Sequence, residues 1–151
     1  MCGIIAIHDS KRPIEGPALA AAASSLLHRG PDGTGYYIDA QKRHALAHRR
    51  LSIIDLATGA QPLKNESGNI IAVVNGEFYG HEDIRAGLIA RGHSFATRSD
   101  SEILIHLYEE YGVDCLSQLR GEFAFVLRDE KRGLTFAARD RFGIKPLFYT
   151  R

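Results

Sequence analysis

Short apolar runs separated by clusters of turn-forming residues make up most of the chain, a pattern that favours several strands and a few helices. Gly3–His8 (GIIAIH) has the length and composition of a buried strand. Strands are also predicted at Gly35–Ile38, His44–Ile54 and Ile70–Val74. The last of these ends at Asn75-Gly76. Because both residue types tolerate positive φ, that pair is by itself typical of a hairpin turn.

Three segments have the pattern of helices. Ala18–Leu27 is an Ala-rich helical pattern, and His81–Arg91 is a second one that a glycine closes. Ser99–Glu102 has the composition of a capping box and opens an amphipathic helix that Gly112 ends. Strands and long helices do not alternate regularly along the chain, so a sheet of parallel strands is not indicated.

The last third of the chain contains a predicted hairpin. Its strands are Glu122–Asp129 and Leu134–Arg139, joined by a short turn. In the first strand, Phe123–Leu127 (FAFVL) places apolar side chains on both faces, which requires a sheet covered on both sides. Several antiparallel strands with about three helices predict an α+β fold in which two sheets pack together and the helices lie outside.

Composition narrows the classes of function. The 19 Lys and Arg residues balance 18 Asp and Glu residues, so the chain lacks the net charge that attracts nucleic acid or an anionic membrane. No apolar run approaches the roughly 20 residues of a transmembrane helix. The N-terminus also lacks the layout of a signal peptide. We therefore expect one cytoplasmic domain with no nucleic-acid or membrane partner.

The seven histidines suggest a metal site, but the spacing of one suggestive pair argues against it. His44 and His48 are four residues apart in a segment predicted to be a strand. There they would be separated by roughly 13 Å, too far to share one zinc ion. We therefore predict no metal site. The glycine-rich run GPDGTG (30–35) lacks the Lys-Ser/Thr that ends a phosphate-binding loop, so no nucleotide site is predicted either.

The two cysteines, Cys2 and Cys115, have different predicted roles. Cys115 lies near the start of a short apolar helix and is predicted to fill the core. The simplest interpretation of Cys2 is a small residue after Met1. A chain that begins at Cys2, however, carries a free α-amine with a reference pKa of about 7.7 to 8.0 beside its thiol. One residue would then supply both nucleophile and base, provided that Met1 is removed.

Eight sequence blocks resemble, in the same order, those of the class II glutamine amidotransferase domain, and they span nearly the whole chain. Two of them, AHRRLSIIDL and ARDRFGIKPL, are more similar to asparagine synthetases than to the glucosamine-phosphate or phosphoribosyl-pyrophosphate amidotransferases. The blocks are CGIIAIH, HRGPDG, AHRRLSIIDL, GAQPL, VVNGEFY, SDSEILIHLYEEYG, GEFAFVLRD and ARDRFGIKPLFY.

The resemblance implies an N-terminal-nucleophile hydrolase fold, a four-layer αββα sandwich of two antiparallel sheets. It implies that residues 1–151 form one glutamine amidotransferase type 2 domain that stops before the family's usual end. An ATP-dependent synthetase domain would then lie outside this chain. No cofactor is expected in this domain, and ATP and Mg²⁺ are expected only in the synthetase domain. The expected partners are glutamine and that domain or subunit, while a homodimer stays open.

The resemblance also implies three catalytic residues. Cys2 matches the family's nucleophile, which forms a γ-glutamyl thioester and releases ammonia before water regenerates the thiol. Asn75 and Gly76 match the oxyanion hole, in which the Asn75 amide and the Gly76 N–H donate to the developing negative oxygen. The hairpin turn remains the alternative for this pair.

Four further residues match positions that bind the substrate. Arg50 matches the ligand of the glutamine α-carboxylate, and its alternative is a surface arginine. Asp100 matches the ligand of the α-ammonium, although the first turn of a helix favours a carboxylate for local reasons. Glu77 and the carbonyl of Ile53 are further candidates.

These assignments predict that the domain hydrolyses the side-chain amide of glutamine to glutamate and ammonia, and that the ammonia serves ATP-dependent asparagine synthesis. Two alternatives stay open. One is a non-catalytic module that senses glutamine or assembles domains. The other is an amidotransferase whose acceptor is not aspartate.

Overall fold

A computed structural model describes residues 1–53, 55 and 58–151 of the chain. It contains seven strands, three α-helices and three short 3-10 segments within those residues. The strands are β1 (Gly3–His8), β2 (Gly33–Ile38), β3 (His44–Arg50), β4 (Leu63–Lys64), β5 (Ile70–Phe78), β6 (Gly121–Asp129) and β7 (Leu134–Arg139). The helices are α1 (Gly16–Ser25), α2 (His81–Ala90) and α3 (Ile103–Tyr111), and the 3-10 segments are Leu27–Arg29, Asp100–Glu102 and Gly112–Ser117.

The strands form two antiparallel sheets. The small sheet has the order β1-β3-β2, and the large sheet has the order β4-β5-β6-β7. In the small sheet Ile4 pairs with His48, and in the large sheet Asn75 pairs with Ala124. The predicted hairpin of β6 and β7 is confirmed, since Asp129 pairs with Leu134 across its turn.

Three apolar clusters show how the layers stack. One joins α1 to the outer face of the small sheet, and another joins α2 and α3 to the outer face of the large sheet. The third lies between the sheets and contains Leu46, Ile71, Val73 and Val126. The order is therefore helix, sheet, sheet, helix, which confirms the α+β fold with two packed antiparallel sheets. Among the described residues no helix is long and apolar enough to cross a bilayer.

The prediction that a strand ends at Asn75-Gly76 is wrong. β5 continues to Phe78, and both residues pair with β6 rather than forming a turn. Gly76 has φ of 150°, and a Cβ built there would lie 2.1 Å from the carbonyl oxygen of Glu122. A glycine is therefore required for close contact between the two strands. Pairing with β6 overrides the local turn preference of this dipeptide.

The boundaries of one helix and one further strand also differ from the predictions. The predicted helix at Ala18–Leu27 begins at Gly16, with Pro17 in its first turn, and ends at Ser25. The predicted strand at His44–Ile54 ends at Arg50, and Ile54 lies outside the described residues.

The capping box at Ser99–Glu102 does not form. The Ser99 hydroxyl accepts from the N–H of Ser101, whereas the Glu102 carboxylate accepts from the N–H groups of Ala96 and Thr97. The reciprocal bond from Glu102 back to the cap is thus replaced by two bonds to the preceding loop. Glu102 thereby holds the loop that leads to Asp100.

Candidate active site

One cavity of about 220 Å³ lies at an end of the space between the two sheets. It is lined by residues from the chain terminus, β3, β5, β6, the 51–61 loop and the 3-10 segment before α3. All seven residues predicted to act in catalysis or binding line this cavity: Cys2, Arg50, Ile53, Asn75, Gly76, Glu77 and Asp100.

The alternation of side chains along a strand explains the contribution of the small sheet. Ile4 and Leu46 belong to the cluster between the sheets. Residues an even number of positions away lie on the same face. Cys2 precedes Ile4 by two positions, and His48 and Arg50 follow Leu46, so all three reach the cavity.

The same rule explains the contribution of the large sheet. Ile71 and Val73 pack between the sheets, so Asn75 and Glu77 continue that face of β5 into the cavity. On β6, Val126 lies between the sheets and Glu122 continues its face into the cavity. On both strands, residues of one face lie in the core and residues two to four positions away on the same face line the cavity.

Backbone contacts position the Cys2 thiol. The N–H of Leu51 donates to Cys2 Sγ at 3.4 Å, and Arg29 Nε donates to the Cys2 carbonyl at 3.1 Å. Cys115 has a different environment, because it is fully buried in the core and burial raises its pKa to about 11. Since the thiolate is the reactive form, Cys115 is inert at neutral pH, in line with its predicted core role.

Asn75 has a side chain that the fold does not satisfy. The residue is 4% exposed, and its Oδ1 has no hydrogen-bond partner among the described residues. A buried amide left in this state costs stability, and native proteins keep such groups mainly where they serve a function. The environment of Asn75 is therefore typical of a functional residue rather than of a structural one.

Along β5, the N–H of Gly76 lies between those of Val74 and Phe78, both of which donate hydrogen bonds to side chains. Val74 N–H donates to Gln61 Oε1 at 2.6 Å, and Phe78 N–H donates to Asp100 Oδ2 at 2.8 Å. Successive N–H groups of a strand point to alternate edges, so the N–H of Gly76 shares this edge and faces the cavity. Asn75 and Gly76 thus present an amide side chain and an N–H from adjacent positions.

Arg50 is held by the loop that follows it. Its guanidinium donates to the carbonyl of Asp55, and a Cβ on Gly59 would lie 2.8 Å from the same group. The Asp55 carboxylate accepts from Thr58 and from the N–H of Arg98. These bonds, with that of the Thr58 hydroxyl foremost, lower the pKa of Asp55 to about 2. An ionised Asp55 therefore ties the loop around Arg50 to the segment that leads to Asp100.

Asp100 and Ile53 occupy contrasting positions. Asp100 is 3% exposed, and its bond to the Phe78 N–H means that it caps the edge of β5 rather than a helix end. Asp100 nevertheless lines the same cavity as Arg50. Ile53 is 70% exposed and stands at the rim.

Three titratable residues line the cavity but were not among the seven predicted for it: His48, Glu122 and Lys145. His48 is 1% exposed, and its Nε2 lies 3.1 Å from the Val74 carbonyl. Burial lowers its pKa to about 4, which makes it a weak base. Lys145 Nζ lies 3.1 Å from Glu122 Oε1 and 3.5 Å from the Met1 sulfur. Strand alternation could have identified His48 and Glu122, because each shares a strand face with a core residue. It could not have identified Lys145, which lies in a loop.

The cavity thus brings the thiol of Cys2 together with two hydrogen-bond donors suited to an oxyanion. It also contains a cationic and an anionic side chain, which suit the α-carboxylate and the α-ammonium of an amino acid. The complete chain, residues 1–151, matches the model of the glutamine amidotransferase domain family. The chain belongs to this family. Its membership agrees with the two packed antiparallel sheets.

Named relatives are longer than this glutamine amidotransferase domain. Glutamine-hydrolyzing asparagine synthetase 2 of Bacillus subtilis (strain 168) is 42% identical over 154 residues, which cover 99% of this chain and 20% of that protein. Amidase chry2 of Gibberella zeae is 46% identical over 162 residues, covering 99% of this chain and 24% of that protein. The chain therefore spans about a fifth to a quarter of these two relatives.

A solved structure shares the fold of this amidotransferase domain. It is described as the structure of the allosteric regulatory enzyme of purine biosynthesis, and it superposes with a TM-score of 0.69 at 21% identity. The superposition covers 93% of this chain and 37% of that one. At this identity the likeness shows the fold alone.

Proposed function

We propose that this domain hydrolyses the side-chain amide of glutamine to glutamate and ammonia through a thioester on Cys2. The observation that carries the proposal is the convergence of Cys2, Asn75, Arg50 and Asp100 on one cavity. These residues come from four separate parts of the chain, and packing a core does not require any of them to meet.

The reaction begins once Met1 has been removed. The α-amine of Cys2 takes the proton of the thiol, and the sulfur adds to the amide carbon of glutamine. The carbonyl oxygen becomes negative and receives hydrogen bonds from the Asn75 amide and the Gly76 N–H. When the C–N bond breaks, the α-ammonium returns its proton to the leaving nitrogen, so ammonia departs and a γ-glutamyl thioester remains.

Water completes the cycle. The α-amine takes a proton from the water that attacks the thioester, the C–S bond breaks, and the α-ammonium returns its proton to the sulfur as glutamate leaves. His48 is a poorer candidate for this base, because burial lowers its pKa to about 4. His28 is exposed and is not among the residues that line the cavity.

Charged groups across the cavity select the substrate. The planar guanidinium of Arg50 suits both oxygens of the α-carboxylate. Asp100 and Glu77 suit the α-ammonium, while the Ile53 carbonyl lies at the rim to accept a further bond. A peptide or simple amide lacks this pair of free charges, so the arrangement favours free glutamine.

We further propose that the ammonia is used by an ATP-dependent synthetase domain or subunit, with aspartate as the acceptor. The name of the Bacillus subtilis relative supports this assignment, and the greater length of the relatives leaves room for such a domain. ATP and Mg²⁺ would bind there, and this domain would need no cofactor. The Gibberella zeae relative is named an amidase and not an asparagine synthetase, so aspartate is not fixed by the relatives' names, and an acceptor other than aspartate is the alternative.

A labelling experiment tests the nucleophile. Protein that begins at Cys2 is treated with a glutamine analogue carrying an electrophilic ketone, and the adduct is located by intact mass and peptide mapping. We expect one adduct at Cys2, protection by free glutamine, and loss of labelling in Cys2→Ala but not in Cys115→Ala. Labelling at Cys115 contradicts the assignment, and glutamine binding without turnover supports the non-catalytic module instead.

A further inference from the structure

A second cluster of titratable groups lies outside the cavity, where the segment after α2 meets α3. It consists of His93, His106 and Glu109, called here the two-histidine cluster. His106 and Glu109 are one helical turn apart on α3, so they share a face. His93 follows α2 and reaches that face from the neighbouring segment, and the two imidazole rings lie 5.0 Å apart.

The three side chains present one ligand atom each to a common point. One nitrogen or oxygen from each residue lies within 4.8 Å of the other two. The Glu109 Oε2 atom is 3.0 Å from His106 Nδ1 and 3.4 Å from His93 Nδ1. In a tetrahedral site with bonds of about 2.0 to 2.1 Å, ligand atoms lie about 3.4 Å apart. The cluster is therefore close to the size that a zinc-like ion requires.

Each of the three side chains also has a second polar neighbour on its far side. His93 Nε2 lies 2.9 Å from Glu110 Oε1, and His106 Nε2 lies 3.8 Å from Glu102 Oε1. Asn65 donates to Glu109 Oε1 at 2.8 Å. Metal-binding histidines commonly give their other ring N–H to a carboxylate, which orients the ring and raises its affinity for the ion. The arrangement fits this pattern for His93, whereas His106 Nε2 lies near a carboxylate but has no hydrogen-bond partner among the described residues.

The charge of the region favours a cation. Glu66, Glu102, Glu109 and Glu110 bring four carboxylates to the two imidazoles, and Arg91 lies 3.8 Å from Glu110 at the edge. Burial lowers the pKa of His106, but the nearby carboxylates of Glu102 and Glu109 outweigh burial and raise it.

We propose that His93, His106 and Glu109 bind one divalent transition-metal ion of the zinc class. Two imidazoles and one carboxylate are a ligand set that such ions accept, with water in the fourth position. His106 is 1% exposed, while His93 and Glu109 are more open, so an ion can enter from one side. Because the ion would join α3 to the segment after α2, its effect is on stability.

Cobalt serves as the probe, because Co²⁺ adopts zinc-like geometry and absorbs visible light. The titration uses full-length Cys2→Ala protein at pH 8, which removes chelation by the terminal thiol. We expect one equivalent of Co²⁺ to bind with a visible band that Zn²⁺ abolishes. The melting temperature should rise by about 5 to 10 °C when free ion exceeds Kd about 100-fold. No band and no change in melting temperature overturn the proposal and leave a network of ion pairs.

Matched variants locate the site. His93→Ala and Glu109→Gln should each lose the band and the gain in melting temperature, and both are safer than changing the buried His106. His81→Ala is the control, since His81 also lies beside a carboxylate, at 3.4 Å from Glu82, but outside the cluster. Binding that survives His93→Ala and Glu109→Gln, or that is lost in His81→Ala, places the ion elsewhere and overturns the assignment.

Discussion

The space between the two sheets has an apolar region and a polar region, although the same strands build both. The apolar region is a cluster of Leu46, Ile71, Val73 and Val126, each at most 5% exposed. Two residues further along the same faces, the side chains become His48 on β3 and Asn75 on β5. Both of these are also buried.

The difference separates two uses of burial. Apolar side chains of the cluster stabilise the fold by leaving water, at roughly 25 cal/mol for each Å². The polar side chains gain nothing comparable, and Asn75 leaves Oδ1 without a partner among the described residues. Strand alternation decides which face a residue occupies, and the type of side chain decides whether that face is core or site. Changes in the two regions should therefore affect different measurements.

Asn75→Ala should have the largest effect on activity. In the proposed mechanism, the Asn75 amide donates to an oxygen that becomes negative only during the reaction. We expect kcat for glutamine hydrolysis to fall by about a hundredfold or more, with little change in KM. Steady-state kinetics measures the fall, and thermal unfolding shows whether the fold is intact.

Asn65→Ala is the matched control, since Asn65 is a buried asparagine with four hydrogen bonds of its own, away from the cavity. It should lower stability and leave kcat unchanged. If Asn75→Ala unfolds the protein while Asn65→Ala does not, Asn75 belongs to the structural region and the comparison fails.

Arg50→Lys should act on binding rather than on chemistry. Lysine keeps the charge but loses the planar fork that holds a carboxylate. We expect KM for glutamine to rise by about tenfold or more. The control is Arg49→Lys, because Arg49 lies on the opposite face of β3 and donates to the Gly30 carbonyl at 3.0 Å. Equal effects of the two substitutions would show that Arg50 has no special place in the cavity.

Val73→Ala tests the apolar region. Val73 is fully buried, and losing its methyl groups should lower the free energy of unfolding by about 2 kcal/mol. Chemical denaturation measures that loss. Because Val73 does not line the cavity, kcat and KM of the folded protein should keep their original values. A large fall in kcat would mean that core packing and site geometry are not separable.

Asp55→Asn should give the smallest change, a loss of stability at neutral pH that fades as the pH falls toward 2. The folded pKa of Asp55 is about 2, below its ordinary value of 3.8. Its ionised form therefore adds stability above about pH 4, and that stability is lost as the pH falls toward 2. The variant should lose this part of the acid dependence, which unfolding curves at pH 5 and pH 3 would measure. An unchanged dependence would show that Asp55 does not tie the loop around Arg50.

Much of the fold could be predicted because apolar periodicity marks strand faces. β1, the hairpin of β6 and β7, and the two packed sheets agree with the structure. The end of β5 could not be predicted from the sequence, because Asn75-Gly76 has a strong local turn preference. Only the close approach of β6 to Gly76 shows why the strand continues there.

The residues of the candidate site could be predicted from the sequence, whereas their arrangement in space could not. Family resemblance supplied its seven residues, and strand alternation then explains why Asn75 and Glu77 share a face with Val73. The bond from Asp100 to the Phe78 N–H depends on tertiary packing. The two-histidine cluster was missed because His93 lies 13 residues before His106, although His106 and Glu109 have the spacing of one helical turn.

The central claim is that Cys2 supplies both nucleophile and base, and Met1 allows a direct test. The measurement is glutamine hydrolysis by two samples of the same chain, one retaining Met1 and one beginning at Cys2, each verified by intact mass. With Met1 attached, the nitrogen of Cys2 is an amide without a basic lone pair, and Met1 lines the cavity. We predict that both samples fold and that only the processed one is active. Equal activity of the two samples would contradict the account.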